Sequence, residues 1–504
     1  MDEREACREL LGALRGLKDE VAAEAERMLA GWEAGSARRA ARPSLANLAW
    51  YLALRRRDLR PLQRALAPLG LSSLGRLEGR VEPNLDSVIA SLARLAGEAP
   101  PPPFPTPRAF FRGERMLARA TRTLLGPREG RAVRILVTLP SEAAEDPALV
   151  RALAAAGADA VRINCAHDGP GAWEAMLAHL RAAEAATGRR LRVLMDLAGP
   201  KIRTAALVAP RDGRIREGDA LLLTGAAPGY TAGGPEGAVF RASLTLPGIL
   251  PRLAPGERVF LDDGKAGGRI EAVDAQGVRV RIERVRPGGL RLKPEKGVNF
   301  PDSDLRLDPL TEKDRADLDF IARHADMVGY SFVQSAADVR RLQDELARRR
   351  TDWHRLGLVA KIETPAAVRN LPAITAQALG RQPFGVMIAR GDLAVELGFE
   401  RLAEMQEELL WLCEAAQVPV IWATQVLERF VRKGMPSRGE MTDAAMAARA
   451  ECVMLNKGPF AAEAVGMLDR VLTRMAEHQS KKTPRLRALG AWAGPERGGI
   501  SPSA

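Results

Sequence analysis

Eight short, β-branched apolar runs alternate with helix-length amphipathic segments from residue 133 onward. No other feature limits the fold as strongly. The runs are Val133–Leu139, Ala160–Cys165, Arg192–Leu197, Met327–Phe332, Gly357–Ile362, Gly385–Ile388, Val418–Ala423 and Cys452–Leu455. Segments such as Leu149–Ala156, Trp173–Ala186, Glu312–His324, Ala336–Arg349 and Arg401–Ala416 lie between them, with apolar residues at helical spacing. Alternation of this kind implies parallel strands joined by helical crossovers. Eight such units closing on themselves make a TIM (β/α)8 barrel, so the fold class is α/β. A doubly wound open sheet is the rival, but no GxGxxG follows the first run.

The alternation breaks after the third run. Residues 205–295 are rich in Gly/Pro turns and short alternating runs such as Arg258–Leu261, Arg269–Val273 and Val278–Arg284. They read as a small β-barrel-like domain inserted in a barrel loop, where insertions often act as lids. The barrel catalytic domain then comprises residues 131–204 and 296–480. Residues 1–98 read as an α-helical N-terminal region. Leu10, Leu11, Leu14, Leu17 and Val21 recur at helical spacing, and a second helix is expected at Ser44–Arg57 with Ser44 as its cap. Residues 99–130 hold a proline-rich, stiff linker and a lead-in helix, Phe110–Leu125. Residues 481–504 are basic, Gly/Pro-rich and aperiodic, and are expected to be disordered.

Net charge is +12, which would suit a nucleic acid or a phosphorylated metabolite. Aromatics are only 4% and no basic cluster alternates with them, so the charge reads as an Arg-rich surface and no nucleic-acid partner is expected. No uncharged apolar stretch is long enough to span a membrane. The N-terminus lacks a secretory pattern, and Cys7, Cys165, Cys413 and Cys452 form no CxxC pair. A cytoplasmic location is the expectation.

Polar residues cluster where the apolar runs end. In Val359–Thr364 the side chains of Lys361 and Glu363 share one face of a strand. A capping ion pair is the competing reading of that stretch alone. The second run ends in Arg162, Asn164 and His167, and the third in Asp196 with Lys201 and Arg203 beyond. The sixth leads into Arg390, Gly391 and Asp392, the seventh into Thr424 and Gln425, the eighth into Asn456 and Lys457. In a (β/α)8 barrel these ends converge on the catalytic face. Glu363 and Asp392 are hard oxygen donors of the kind that bind Mg²⁺ together with substrate oxygens and water. Arg162, Lys361 and Arg203 offer positive charge to phosphoryl oxygens. Gly391 lets backbone N–H groups approach a ligand, and Thr424 brings a hydroxyl. The set suits phosphoryl transfer to or from a small carboxylic acid. No P-loop is present, so a nucleotide is held in another way. His167 reads as a hydrogen-bonded loop residue and Cys165 as core.

These motifs resemble those of pyruvate kinases. The resemblance runs from about residue 133 to 480 through MDLAGPKIRT (195–204), KGVNFP (296–301), AKIET (360–364), VMIARGDL (386–393), ATQVLE (423–428) and PSRGE (436–440). It implies that Lys361 stabilises the phosphoryl group in flight and that Glu363 and Asp392 hold Mg²⁺, or Mn²⁺ in its place. It implies that Arg162 contacts the phosphoenolpyruvate phosphate, with Gly391, Asp392 and Thr424 at the carboxylate end. Asn164, Arg203 and Lys296 would face the ADP/ATP phosphates, and Asp263 would come from the lid. Arg162, Lys361 and Thr424 are the expected catalytic residues. Pyruvate and ATP would be the products.

The sequence departs from that pattern in places. Many members bind K⁺ through an Asn-x-Ser pair and an Asp-Thr pair, with a Glu in the following motif; here the positions read Asn164-Cys165-Ala166, Asp196-Leu197 and Lys201. The Lys201 ammonium, with Asn164 and Asp196 nearby, is expected to replace the monovalent cation, so K⁺ is not required. Asn456-Lys457-Gly458 stands where the resemblance leads one to expect Ser-Gly-Glu. The usual C-terminal domain, with its sugar-phosphate site, is not matched, so such regulation is not expected. A homo-oligomer and an unidentified protein partner for residues 1–98 both stay open. Two alternatives stand beside a working pyruvate kinase: a barrel enzyme acting on another phosphoenolpyruvate- or keto-acid-like substrate, and a non-catalytic regulatory paralogue.

Overall fold

The computed structural model describes residues 3–34, 39–127, 130–209, 212–226, 240–305 and 307–484. Eight parallel strands close into a barrel: Arg134–Thr138, Ala160–Asn164, Arg192–Asp196, Met327–Tyr330, Gly357–Ile362, Phe384–Ala389, Val420–Ala423 and Cys452–Leu455. They stand in chain order around the ring, and the first pairs with both the second and the eighth. Nearly every strand residue is buried on both faces, which is why the runs are continuously apolar rather than alternating. The barrel read from the alternation is the barrel observed.

The lead-in helix, Arg112–Leu125, stoppers the N-terminal end of the barrel with Leu124. A Cβ at Gly385 would lie 2.4 Å from Leu124 Cδ2, and one at Gly357 would lie 2.6 Å from its Cδ1. Only glycine at these two strand starts leaves room for the stopper. Above it, Leu136, Leu194, Val359, Met387 and Ile421 fill the interior. The far end of the barrel is left to polar groups.

The inserted domain is a seven-stranded sheet with its own core of Ile215, Leu221, Phe240, Val259, Val278, Val280 and Ile282. Its long hairpin, Ala266–Asp274 and Gly277–Val285, contains the two alternating runs expected there. The sheet is open in strand order, yet its two connections to the barrel are laced together. Thr204 N–H donates to Lys296 C=O at 2.8 Å and Val298 N–H to Ile202 C=O at 2.9 Å. The inserted domain, the expected lid, therefore joins the barrel through one two-stranded strap.

The N-terminal region contains helices Glu3–Ala34, Arg42–Arg55, Arg60–Leu66 and Val81–Leu95. Ser44 is not a cap. The second helix begins at Arg42 with Pro43 in its first turn, and Ser44 is buried inside it. This region packs on the barrel's flank. Asn47 Nδ2 donates to Ala415 C=O at 2.7 Å, and the Arg55 guanidinium lies 5.1 Å from the Trp411 ring centroid. Of the tail, residues 481–484 turn back, with Thr483–Pro484 pairing against Gln479–Ser480. Lys482 pairs with Glu78 and Lys481 with Glu451. The rest of the tail expected to be disordered lies outside the described residues.

Candidate active site

Asp196 ends the third strand completely buried. Its Oδ2 accepts from Arg162 Nε at 2.6 Å and faces Lys361 Nζ at 3.5 Å. Burial opposes its ionisation, but the two cations outweigh burial and hold its pKa below the usual carboxylate value. Its Oδ1 is buried with no hydrogen-bond partner. A Cβ on Gly329 of the fourth strand would stand 1.8 Å from that oxygen, so the carboxylate occupies space that only glycine leaves.

Lys361 and Glu363 point the same way, as strand alternation requires. Lys361 Nζ donates to Ser331 Oγ at 2.7 Å and lies 3.0 Å from Glu363 Oε1. Burial pulls the ammonium's pKa down, but Glu363 and Asp196 more than offset it, so Lys361 stays charged. Glu363 Oε2 accepts the Phe332 N–H at 2.7 Å. Burial raises the Glu363 pKa; Lys361 pulls it back, and the nearby Asp392 carboxylate raises it again. Two carboxylates that disfavour each other's charge suit a hard cation between them.

Asp392 lies in the first turn of helix Arg390–Leu397. Its Oδ1 accepts from Lys201 Nζ at 2.8 Å. Lys201 thus reaches across from the lid strap to the sixth strand's loop, and its hydrogen-bond partner is neither Asn164 nor Asp196. The Asn164 side chain instead closes a local turn, accepting from Ala166 N–H at 3.2 Å.

Gly391 and Thr424 meet directly: Gly391 N–H donates to Thr424 Oγ1 at 2.9 Å. Thr424, Gln425 and Leu427 all adopt left-handed backbone, a strained turn for non-glycine residues. Arg390 holds that turn. Its Nε donates to Ala423 C=O at 2.9 Å, its Nη2 to Thr424 C=O, and its fork pairs with Asp443 while the guanidinium lies 4.7 Å from the Trp422 ring centroid.

Arg203, Lys296 and Asp263 belong to the lid connection. Arg203 Nη1 donates to Glu295 C=O at 3.0 Å, and Lys296 Nζ lies 3.3 Å from Asp262 Oδ1. Asp263 is a left-handed residue; a Cβ on Gly297 would lie 3.8 Å from its Oδ1 and 3.4 Å from Lys201 Cε. A cavity of about 230 Å³ opens next to Arg162, walled by Asn164, His167, Glu428, Asn456 and Lys457. Asn456 Nδ2 donates to Glu428 Oε2 at 2.8 Å. The altered end of the eighth strand is therefore a wall of this cavity. Burial lowers the pKa of His167, with Lys457 and Arg203 adding to the effect. Cys165 is core.

Three contributors were not singled out from sequence. Thr138, ending the first strand, accepts from Arg162 Nη1 at 3.3 Å; Ser331, just past the fourth, holds Lys361; Asp443 anchors Arg390. The signal for the first two was position alone, since every other strand end already carried a polar group. With them, all eight strands contribute. Arg162, Lys361 and Lys201 face Asp196, Glu363 and Asp392, a paired network of three cations and three carboxylates. Among the described residues no group of three or more His, Cys, Asp or Glu is arranged to hold a metal unaided.

A family model described as pyruvate kinase, barrel domain, matches residues 130–465. The chain is similar to a pyruvate kinase of Agrobacterium vitis, 32% identical over 363 residues, covering 70% of this chain and 71% of the relative. It is 33% identical over 343 residues to a pyruvate kinase of Mycobacterium tuberculosis strain H37Rv, covering 67% and 68%. A pyruvate kinase of Geobacillus stearothermophilus is 34% identical over 328 residues, covering 63% of this chain and 53% of that protein.

Proposed function

The chain belongs to the pyruvate kinase family of phosphotransferases, and from that premise we propose that it transfers the phosphoryl group of phosphoenolpyruvate to ADP. One observation carries the reading: a continuous chain of paired charges, Arg162–Asp196–Lys361–Glu363, rings the barrel mouth and meets the Asp392–Lys201 pair. Asp196 holds the Nε edge of Arg162 and leaves guanidinium N–H groups for a phosphate. Lys361, kept protonated by its two carboxylates, places a fixed positive charge where the phosphoryl group carries negative charge in flight. Asn164, Arg203 and Lys296 would take the nucleotide phosphates, and Asp263 would approach from the lid.

The P–O bond to the enol oxygen breaks as a bond forms to the terminal oxygen of ADP, leaving the enolate of pyruvate. That enolate gains a proton at carbon to become the ketone. Thr424 Oγ1 accepts the Gly391 N–H, which leaves its own O–H free to donate into the site at the substrate's carboxylate end. Glu363 and Asp392 fit Mg²⁺, or Mn²⁺, which when bound supplies charge neutralisation for phosphate oxygens. Two carboxylates are the usual protein share for that ion, the rest coming from substrate and water.

Lys201 supports a K⁺-independent enzyme. It brings the paired network to three cations and three carboxylates, leaving no negative surplus within it for a monovalent ion. A second reading, transfer to another acceptor, is favoured only by the Asn456 and Lys457 wall beside Arg162.

The test is release of pyruvate from phosphoenolpyruvate and ADP with Mg²⁺. No turnover by the wild type refutes the main reading, and turnover with a different acceptor alone selects the second. Equal turnover by wild type and Lys361→Ala would remove the role given to that lysine.

A further inference from the structure

A second polar cavity opens at the opposite end of the barrel, at the starts of the third, fourth and fifth strands. It measures about 420 Å³ and is lined by Arg190, Arg192, Arg350, Arg355, Asp326 and Asp352, with Leu124 and Gly357 nearby. Asp326 is heavily used: Oδ1 accepts from Arg192 Nη1 at 2.7 Å and faces Arg190 Nη2 at 3.6 Å, while Oδ2 accepts the Val193 N–H. Asp352 is taken bidentately by Arg350 at 2.7 and 2.8 Å. Arg355 adds only a long-range pull on Asp352, and Arg190 is 71% exposed at the side chain. Four guanidiniums thus share a cavity with two carboxylates that are already engaged. With four arginines against two aspartates this cavity carries two positive charges in excess, and the phosphoryl chemistry makes no use of them.

The walls define the ligand. No aromatic ring lines the cavity, so nothing there stacks on a nucleobase. Its volume is that of a small-molecule site. Guanidinium forks match phosphate oxygens in pairs, and two surplus charges suit an anion with more than one phosphate. Arg350 is held in place, its Nη1 donating to Ala322 C=O at 2.7 Å, and contributes charge alone. We propose that this cavity binds a short inorganic polyphosphate, of the pyrophosphate or tripolyphosphate class, through the forks of Arg190 and Arg355 with Arg192 beside them.

The experiment is calorimetric titration of the full chain with inorganic pyrophosphate in metal-free buffer, in three forms. Wild type should bind. Arg162→Ala/Lys361→Ala, which strips the catalytic mouth of its own anion affinity, should keep this binding. Arg190→Gln/Arg355→Gln should lose at least about tenfold in affinity per guanidinium removed. Turnover of the Gln pair should match wild type. Affinity unchanged in the Gln pair, loss confined to the catalytic-mouth variant, or no binding by wild type would each overturn the proposal. Should the Gln pair fail to fold, Arg190→Lys/Arg355→Lys decides: it keeps the charge but removes the forks, so weaker binding supports the site and unchanged binding sinks it.

Discussion

If Lys201 takes the place of the monovalent cation as proposed, replacing it with glutamine should make turnover K⁺-dependent. The ammonium lies 2.8 Å from Asp392 Oδ1, with the two side chains 26% and 22% exposed. Its removal leaves Arg162 and Lys361 against Asp196, Glu363 and Asp392, a surplus of one negative charge where an anionic substrate must enter. An unbalanced unit charge about 4 Å from a reacting phosphate costs about 4 kcal/mol at the effective dielectric of a protein surface. Partial exposure lowers this to about 2 kcal/mol, or roughly 30-fold in kcat/KM. Pyruvate release should therefore fall by that factor when tetramethylammonium replaces K⁺, and K⁺ should restore most of it. Wild type should give equal rates in both salts. A second measurement needs no turnover. Lys201 competes with a cation for Asp392, so Lys201→Gln should bind Mn²⁺ more tightly than wild type in the absence of substrate. A wild type that requires K⁺, or a variant as indifferent to K⁺ as wild type, would refute the charge-balance reasoning.

Gly391→Ala tests the substrate pocket. A Cβ there would meet only Thr424 atoms, none nearer than 3.8 Å, so the fold should accept the methyl group. The methyl would project toward the proposed carboxylate position, so KM for phosphoenolpyruvate should rise about tenfold or more with the melting temperature unchanged; a large loss of stability would show that the glycine serves packing instead. Glu414→Gln tests a partly buried acid outside the proposed site. Burial first, then Glu78 and Glu451 against the opposing pull of Lys481, raises the Glu414 pKa to about 7 from 4.5. The folded state therefore holds this proton more tightly than the unfolded chain, and that stabilisation is full below about pH 4.5 and lost as pH rises through about 7. At neutral pH and above, the glutamine variant should be more stable by about 1–3 kcal/mol, the upper figure being the full shift without allowance for residual exposure. The gap should close in melts near pH 4.5, and a constant gap across pH would refute the assignment.

The barrel was legible because its strands are buried on both faces. Such strands carry unbroken apolar runs, and two of the eight, Gly357–Ile362 and Cys452–Leu455, keep the boundaries read from sequence. The seventh starts two residues late because Ala416 and Gln417, the latter in left-handed backbone, form the turn and Pro419 follows, so pairing begins only at Val420. Ser44 misled because a capping residue and a buried small residue look alike in sequence; Pro43 in the first turn was the stronger signal. Lys361 and Glu363 stood out for an energetic reason: charge at the end of an apolar strand demands partners. Ser331 and Thr138 did not, since one hydroxyl at a strand end raises no such demand.

The partner of Lys201 was beyond reach of any local pattern. It lies 191 residues away, across the whole inserted domain, and only closure of the barrel brings the two together. This long-range pairing changes what Lys201 means. Its residue type suggested a stand-in for a bound cation, wherever that cation would sit. Its position on Asp392 makes it a member of the paired network that is carried by the strap rather than by a barrel strand. Arg203 and Lys296 leave from the same strap, laced to each other's segment by backbone hydrogen bonds, so a movement of the lid must carry all three charges together. On the proposed function, the charge pairing of Asp392 is then tied to the strap: a shift of the strap away from the barrel would withdraw Lys201 and leave that carboxylate free for a metal.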